Sequence, residues 1–104
     1  KCIPCKGDVP PYNIKEIHKY LKKVDGWDVK SDESKSFYLE KKFIFKNFKT
    51  SQKFINLIGE LAEVEGHHPD ITFGWGYATI KIFTHAIRGL AESDFILASK
   101  IDRI

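Results

Sequence analysis

Three of the four histidines in the chain, His67, His68 and His85, lie in the window from Glu63 to His85. Histidine titrates near neutrality, so a cluster of imidazoles suits moving protons to and from a bound substrate. Glu63 adds a carboxylate, which can accept two parallel N–H bonds from an amidine-like edge. Trp75, Tyr77 and Phe83 offer flat apolar surface for a planar ring. Together these residue types describe a site for a flat, nitrogen-rich heterocycle undergoing acid–base chemistry. A metal site is not expected, because adjacent histidines seldom reach one ion and the HEXXH spacing is absent. The competing structural use is that the histidines only satisfy a helix-to-strand junction.

The elements around this window must bring the three imidazoles together. Phe54, Leu57, Ile58, Leu61 and Ala62 recur at helical spacing from Thr50 onward, the clearest amphipathic helix in the chain. Glu63 lies five residues beyond Ile58, roughly 140° around that helix, so it flanks the buried stripe and can face a cleft. Gly66 follows as a helix stop, and Pro69 pushes His68 into extended backbone. The adjacent histidines therefore point in different directions. After Pro69 the chain reads as a hairpin, Ile71–Trp75 out and Ala78–Phe83 back, turning near Gly76. Paired residue numbers in such a hairpin sum to a constant, here roughly 151–153, which sets His85 opposite residues 66–68.

Elsewhere the chain reads as an irregular lead-in over residues 1–12, then a helix capped by Asn13 and carrying Ile14, Ile17, Leu21 and Val24. Asp25-Gly26 ends that helix, and His18 on it is a surface residue. Trp27–Lys30 is a short strand, Ser31–Ser36 a polar turn, and Phe37–Phe45 a strand whose apolar face is broken by Lys41, exposing one end. Asn47–Lys49 is expected as a turn, 84–91 as a loop, and 93–101 as a last helix. Short links between these elements imply an α+β fold: two layers, a four-stranded antiparallel sheet with three helices packed on one face. A free sheet face or edge strand makes self-association plausible.

At 104 residues the chain is one domain with a modest core. A net charge of +3, with dispersed basic residues, does not argue for direct nucleic-acid binding. No apolar run approaches a membrane span or a secretory signal, so a cytoplasmic protein is expected. Cys2 and Cys5 form a lone CxxC followed by Gly7 and Pro10-Pro11 rather than by a helix, a weak signal for redox or zinc chemistry.

Glu63-xxx-His67-His68-Pro69, then five residues to Trp75, nine to His85 and eight to Asp94, resembles the signature of the pterin-4a-carbinolamine dehydratases. Gly26-Trp27, the Phe43-x-Phe45 strand and Thr84-His85 fit the wider pattern. The resemblance implies dehydration of 4a-hydroxytetrahydropterin to quinonoid dihydropterin, recycling the cofactor of aromatic amino-acid hydroxylases, with no metal or organic cofactor. It implies that Glu63 holds the pyrimidine edge, that His67 and His85 act as acid and base, and that His68 positions or assists. It sets Trp27 as a cleft wall, with a core anchor beside the first helix as the equal alternative, Pro69, Trp75, Phe83 and Thr84 beside the substrate, and Asp94 as support for the last helix and the His85 loop. A homodimer or homotetramer is implied as well. The sequence departs from many relatives at Ala91, where Ser or Thr caps the last helix, and at Gly66. The alternatives are a non-catalytic pterin-binding or transcription-cofactor-like protein, and a relative acting in molybdopterin metabolism.

Overall fold

The computed structural model describes Gly7 and residues 9–104. The elements run α1 (Ile14–Leu21), β1 (Asp28–Ser31), β2 (Phe37–Ile44), α2 (Phe48–Glu65), β3 (Asp70–Gly74), β4 (Tyr77–Ile82) and α3 (Glu92–Ile101), with a short 3-10 turn at His85–Ile87. Cys2 and Cys5 lie outside the described residues, and no helix among the described residues is long and apolar enough to cross a membrane.

Side-chain caps set the helix starts. The Asn13 side chain accepts from the Glu16 N–H while the Glu16 carboxylate accepts from the Asn13 N–H, each at 2.9 Å, a reciprocal capping box. Asn47 accepts from the Thr50 N–H at 2.9 Å, so α2 begins at Phe48 and the expected turn at 47–49 is already helix. At the other end α1 stops earlier than its apolar pattern suggests. Lys23 and Val24 bond three residues back, to Tyr20 and Leu21, so Val24 joins the core from a tight turn rather than from the helix.

The sheet order is β1-β2-β4-β3, with every neighbour antiparallel. Alternation selects its faces. Leu39, Ala78, Ile80 and Ile82 point into one cluster with Ile17 of α1, Ile58 of α2, and Phe95, Leu97, Ala98 and Ile101 of α3. All three helices therefore cover one face of the four-stranded sheet, as the patterning predicts. The opposite face carries Tyr38, Glu40, Lys42, Thr79 and Lys81, and the Lys30–Glu40 pair there (2.6 Å) raises the lysine pKa.

Lys41 corrects one expectation. It sits on the core-facing side of β2, yet that end of the strand is not opened to solvent. Its stem lies beside Phe43 and its ammonium donates to Asp102 Oδ1 (2.8 Å) and to the Asp25 carbonyl (2.7 Å). A lysine can run along apolar surface in this way while its charged head reaches a partner at the edge.

Candidate active site

Gly66 makes the junction that separates the two adjacent histidines. It adopts left-handed backbone (φ +65°), and its N–H and that of His67 both reach the Ala62 carbonyl, closing α2. The chain then turns sharply enough that His67 points inward and His68 outward. His67 is 5% exposed, whereas the His68 side chain is 62% exposed and its Nε2 meets Glu63 Oε2. Glu63 stands beside His68 with its side chain 78% exposed, and it is not among the residues that line the histidine pocket.

Behind His67 stands Asp94, fully buried in the first turn of α3. Its carboxylate accepts from His67 Nε2 (2.7 Å), from the Thr84 hydroxyl (2.8 Å) and from the Ala91 N–H (2.9 Å). One side chain therefore fixes the imidazole, the strand exit and the helix start. Ala91 cannot cap with a side chain, and α3 nevertheless begins at Glu92. The helix keeps the Asp94 half of a capping box, and a carboxylate near a helix N-terminus is favoured by the dipole. No buried side-chain nitrogen or oxygen among the described residues is left without a partner.

His85 arrives from the other side. Thr84 and Gly89 pair across a tight loop (2.9 and 3.4 Å), and the 3-10 turn between them presents His85 and Ala86. The β3–β4 pairs sum to 151 throughout, the lower end of the expected range. The open end of the hairpin consequently faces the α2–β3 junction. Between the two lies a pocket of ≈ 300 Å³ lined by Gly66, His67, His68, Pro69, Asp70, His85 and Ala86. All three predicted imidazoles line it. Phe83 packs against His85 with the rings tilted by 45° and their centroids 4.1 Å apart.

Other predicted residues are placed differently. Thr84 is buried with its hydroxyl committed to Asp94, so it builds the wall from behind rather than facing a ligand. Trp27 takes the core-anchor role rather than that of a cleft wall within this chain. It is 4% exposed in the core, edge-on to Phe43, and donates from Nε1 to both oxygens of Asp102 at 3.1 and 3.0 Å. Trp75 sits at the tip of the hairpin, 71% exposed, roughly 15 Å along β3 from the pocket. Glu65 turns away to Lys100 on α3 (2.9 Å). Asp70 and Ala86 enter the lining without having been singled out as binding residues. Their closeness to the motif histidines in sequence was the available signal.

In chemical terms, the pocket offers two accessible imidazoles, one of them paired with a carboxylate, and a third held from behind by a buried aspartate. Such an arrangement can supply and remove protons at neighbouring atoms of a bound ring. Among the described residues, no three His, Cys, Asp or Glu side chains are placed to share a metal ion.

Comparison with known proteins agrees with this motif. The family model described as pterin 4 alpha carbinolamine dehydratase matches residues 10–104. A protein of Rubrobacter xylanophilus, provisionally named a pterin-4-alpha-carbinolamine dehydratase, is 47% identical over 104 residues, covering 100% of this chain and 94% of its own. One of Rickettsia bellii with the same provisional name is 50% identical over 103 residues, covering 98% and 88%. Among solved structures, a transcriptional coactivator/pterin dehydratase from Brucella melitensis superposes with TM-score 0.78 at 25% identity, over 89% of this chain and 96% of that one. A pterin dehydratase-like RuBisCO assembly factor of the alpha-carboxysome shares the fold, with TM-score 0.63 at 24% identity, over 75% and 87%. With its histidine motif gathered around one pocket and its sequence matched from residue 10 to the last residue, the chain belongs to the pterin 4 alpha carbinolamine dehydratase family.

Proposed function

We propose that the protein dehydrates 4a-hydroxytetrahydropterin to quinonoid dihydropterin and water. The observation that carries this reading is the convergence of His67, His68 and His85 on one pocket, with Glu63 paired to His68. In the reaction the C4a–O bond breaks and a C4a=N5 double bond forms. The departing oxygen takes a proton from an acid and leaves as water, and N5–H gives its proton to a base. His68 and His85 are the two imidazoles presented to solvent and ligand, so they share these transfers. His67, anchored on Asp94, is the positioning residue behind them. Glu63 orients His68 and, because a carboxylate has about four lone-pair sites, can also accept from the ring's amidine edge.

Decay of enzymatically generated carbinolamine, followed by ultraviolet absorbance in the presence of chelator, tests this. Wild type accelerates the decay, and His68→Gln and His85→Gln each lower kcat by a factor on the order of 10²–10⁴. A folded wild type that leaves the decay unchanged sinks the reading. The runner-up, a pterin or protein binder without turnover, is suggested by the coactivator and assembly-factor names of the structural neighbours. The same assay separates the two. Self-association is part of the proposal: Leu57 and Val64 on α2, Ile44 at the end of β2 and Trp75 at the hairpin tip are exposed large apolar side chains that a second copy would cover. Light scattering at a monomer mass would remove that part alone.

A further inference from the structure

His85 belongs to two cavities. Sharing His85 but neither His67 nor His68, a second hollow of ≈ 300 Å³ is lined by Asp32, Ser34, Ser36, Phe83, His85 and Arg88. The sheet register makes this neighbourhood: β2 pairs with β4 from Leu39↔Ile82 onward, and continuing that register past the strand ends sets Ser36 across from His85. The β1–β2 turn that carries the serines is internally fixed. Asp32 Oδ1 accepts from the Ser34 and Ser36 N–H groups (both 2.9 Å), and the Asp32 N–H donates to the Ser36 carbonyl (3.0 Å). Asp32 Oδ2 and the Arg88 guanidinium make no hydrogen bond or ion pair among the described residues. The hollow therefore offers donors from Arg88, hydroxyls from Ser34 and Ser36, and an acceptor from Asp32, beside the aromatic wall of Phe83.

Resting on the dehydratase reading, we propose that this hollow is a subsite for a short hydroxylated side chain on the pterin, with Arg88 and Ser36 setting side-chain specificity. Ring chemistry gives the direction. C6 is joined to C4a through N5 alone and lies at the end of the bicycle remote from the amidine edge. A ring with that edge at Glu63 and its C4a at the imidazoles points its C6 substituent past His85 into the hollow. Mixed donors and acceptors suit a diol, and the Asp32 carboxylate disfavours a phosphorylated chain.

The test uses the full chain and two carbinolamines alike at the reacting centre, one bearing 1,2-dihydroxypropyl at C6 and the other methyl. Arg88 has left-handed backbone (φ +52°), so Arg88→Gly removes the guanidinium while suiting the local conformation. The wild type prefers the diol, and Arg88→Gly reduces that kcat/KM preference by roughly tenfold, the scale of one charge-assisted hydrogen bond. Arg88→Lys restores part of it. An equal loss on both substrates, an unchanged preference, or a stronger preference for a phosphorylated chain overturns the subsite. If a folded wild type turns over neither compound, the dehydratase reading fails by itself. Calorimetric binding of the two corresponding 7,8-dihydropterins then decides the subsite: discrimination lost in Arg88→Gly supports it, and equal binding or no binding overturns it.

Discussion

Asp94 and Asp102 stand at opposite ends of α3, and each ties the helix to the sheet side of the molecule through an aromatic ring nitrogen. Asp94 lies in the first turn, where the helix dipole favours a carboxylate, and it accepts from His67, Thr84 and Ala91 without contact with solvent. Asp102 lies at the C-cap, where the dipole opposes a carboxylate, and its side chain remains 18% exposed. Its partners, Trp27 Nε1 and the Lys41 ammonium, offset that opposition. The two clusters use similar chemistry, but only the Asp94 end opens onto a pocket with accessible imidazoles. A polar network therefore marks a candidate site when it holds reactive groups against a cavity. Without one it is a fastening between elements.

Asp94→Ala should have the largest effect. It strands the Thr84 hydroxyl, the Ala91 N–H and His67 in a buried setting, costing about 3–5 kcal/mol by urea denaturation and abolishing carbinolamine turnover. Asp94→Asn keeps acceptor capacity and should cost less, about 1–2 kcal/mol, yet turnover should still drop steeply because the amide cannot hold His67 in the same way. At the other end, Asp102→Ala should cost about 2 kcal/mol, since Trp27 N–H is buried and Lys41 loses its counter-charge, with kcat within twofold of wild type. A turnover loss there as large as at Asp94 would break the comparison. Gly66→Ala should cost about 1 kcal/mol, a purely conformational effect, because nothing lies within 4 Å of the added Cβ while φ is +65°. Some turnover should go with it as His67 and His68 lose their fixed divergence.

The smallest effect concerns Tyr12, stacked on Tyr20 (5.0 Å) and on Phe95 in the middle of α3. Burial, and then the Tyr20 hydroxyl, push its phenol above the ordinary range. The folded chain keeps a proton that the unfolded chain loses near pH 10, so stability holds below that pH and declines above it. Tyr12→Phe should flatten this alkaline decline in urea midpoints measured across it, leaving turnover at neutral pH unchanged.

Local chemistry made much of this legible in the sequence. The Asn13 cap, the α2 stripe, the Gly66 stop and the Gly76 turn each rest on residues within a few positions of one another. For that reason the hairpin register, and with it the meeting of His67, His68 and His85, could be read before any fold was known. Trp27 and Lys41 could not be read this way, since their partner Asp102 is 75 and 61 residues distant. Nor could the second hollow, which depends on β2 pairing with β4 across the long excursion through α2. Patterns of neighbouring residues determined the elements, their caps and the motif. The tertiary structure alone decided which polar groups face a cavity and which are spent on fastening, because those roles depend on contacts between segments far apart in the chain.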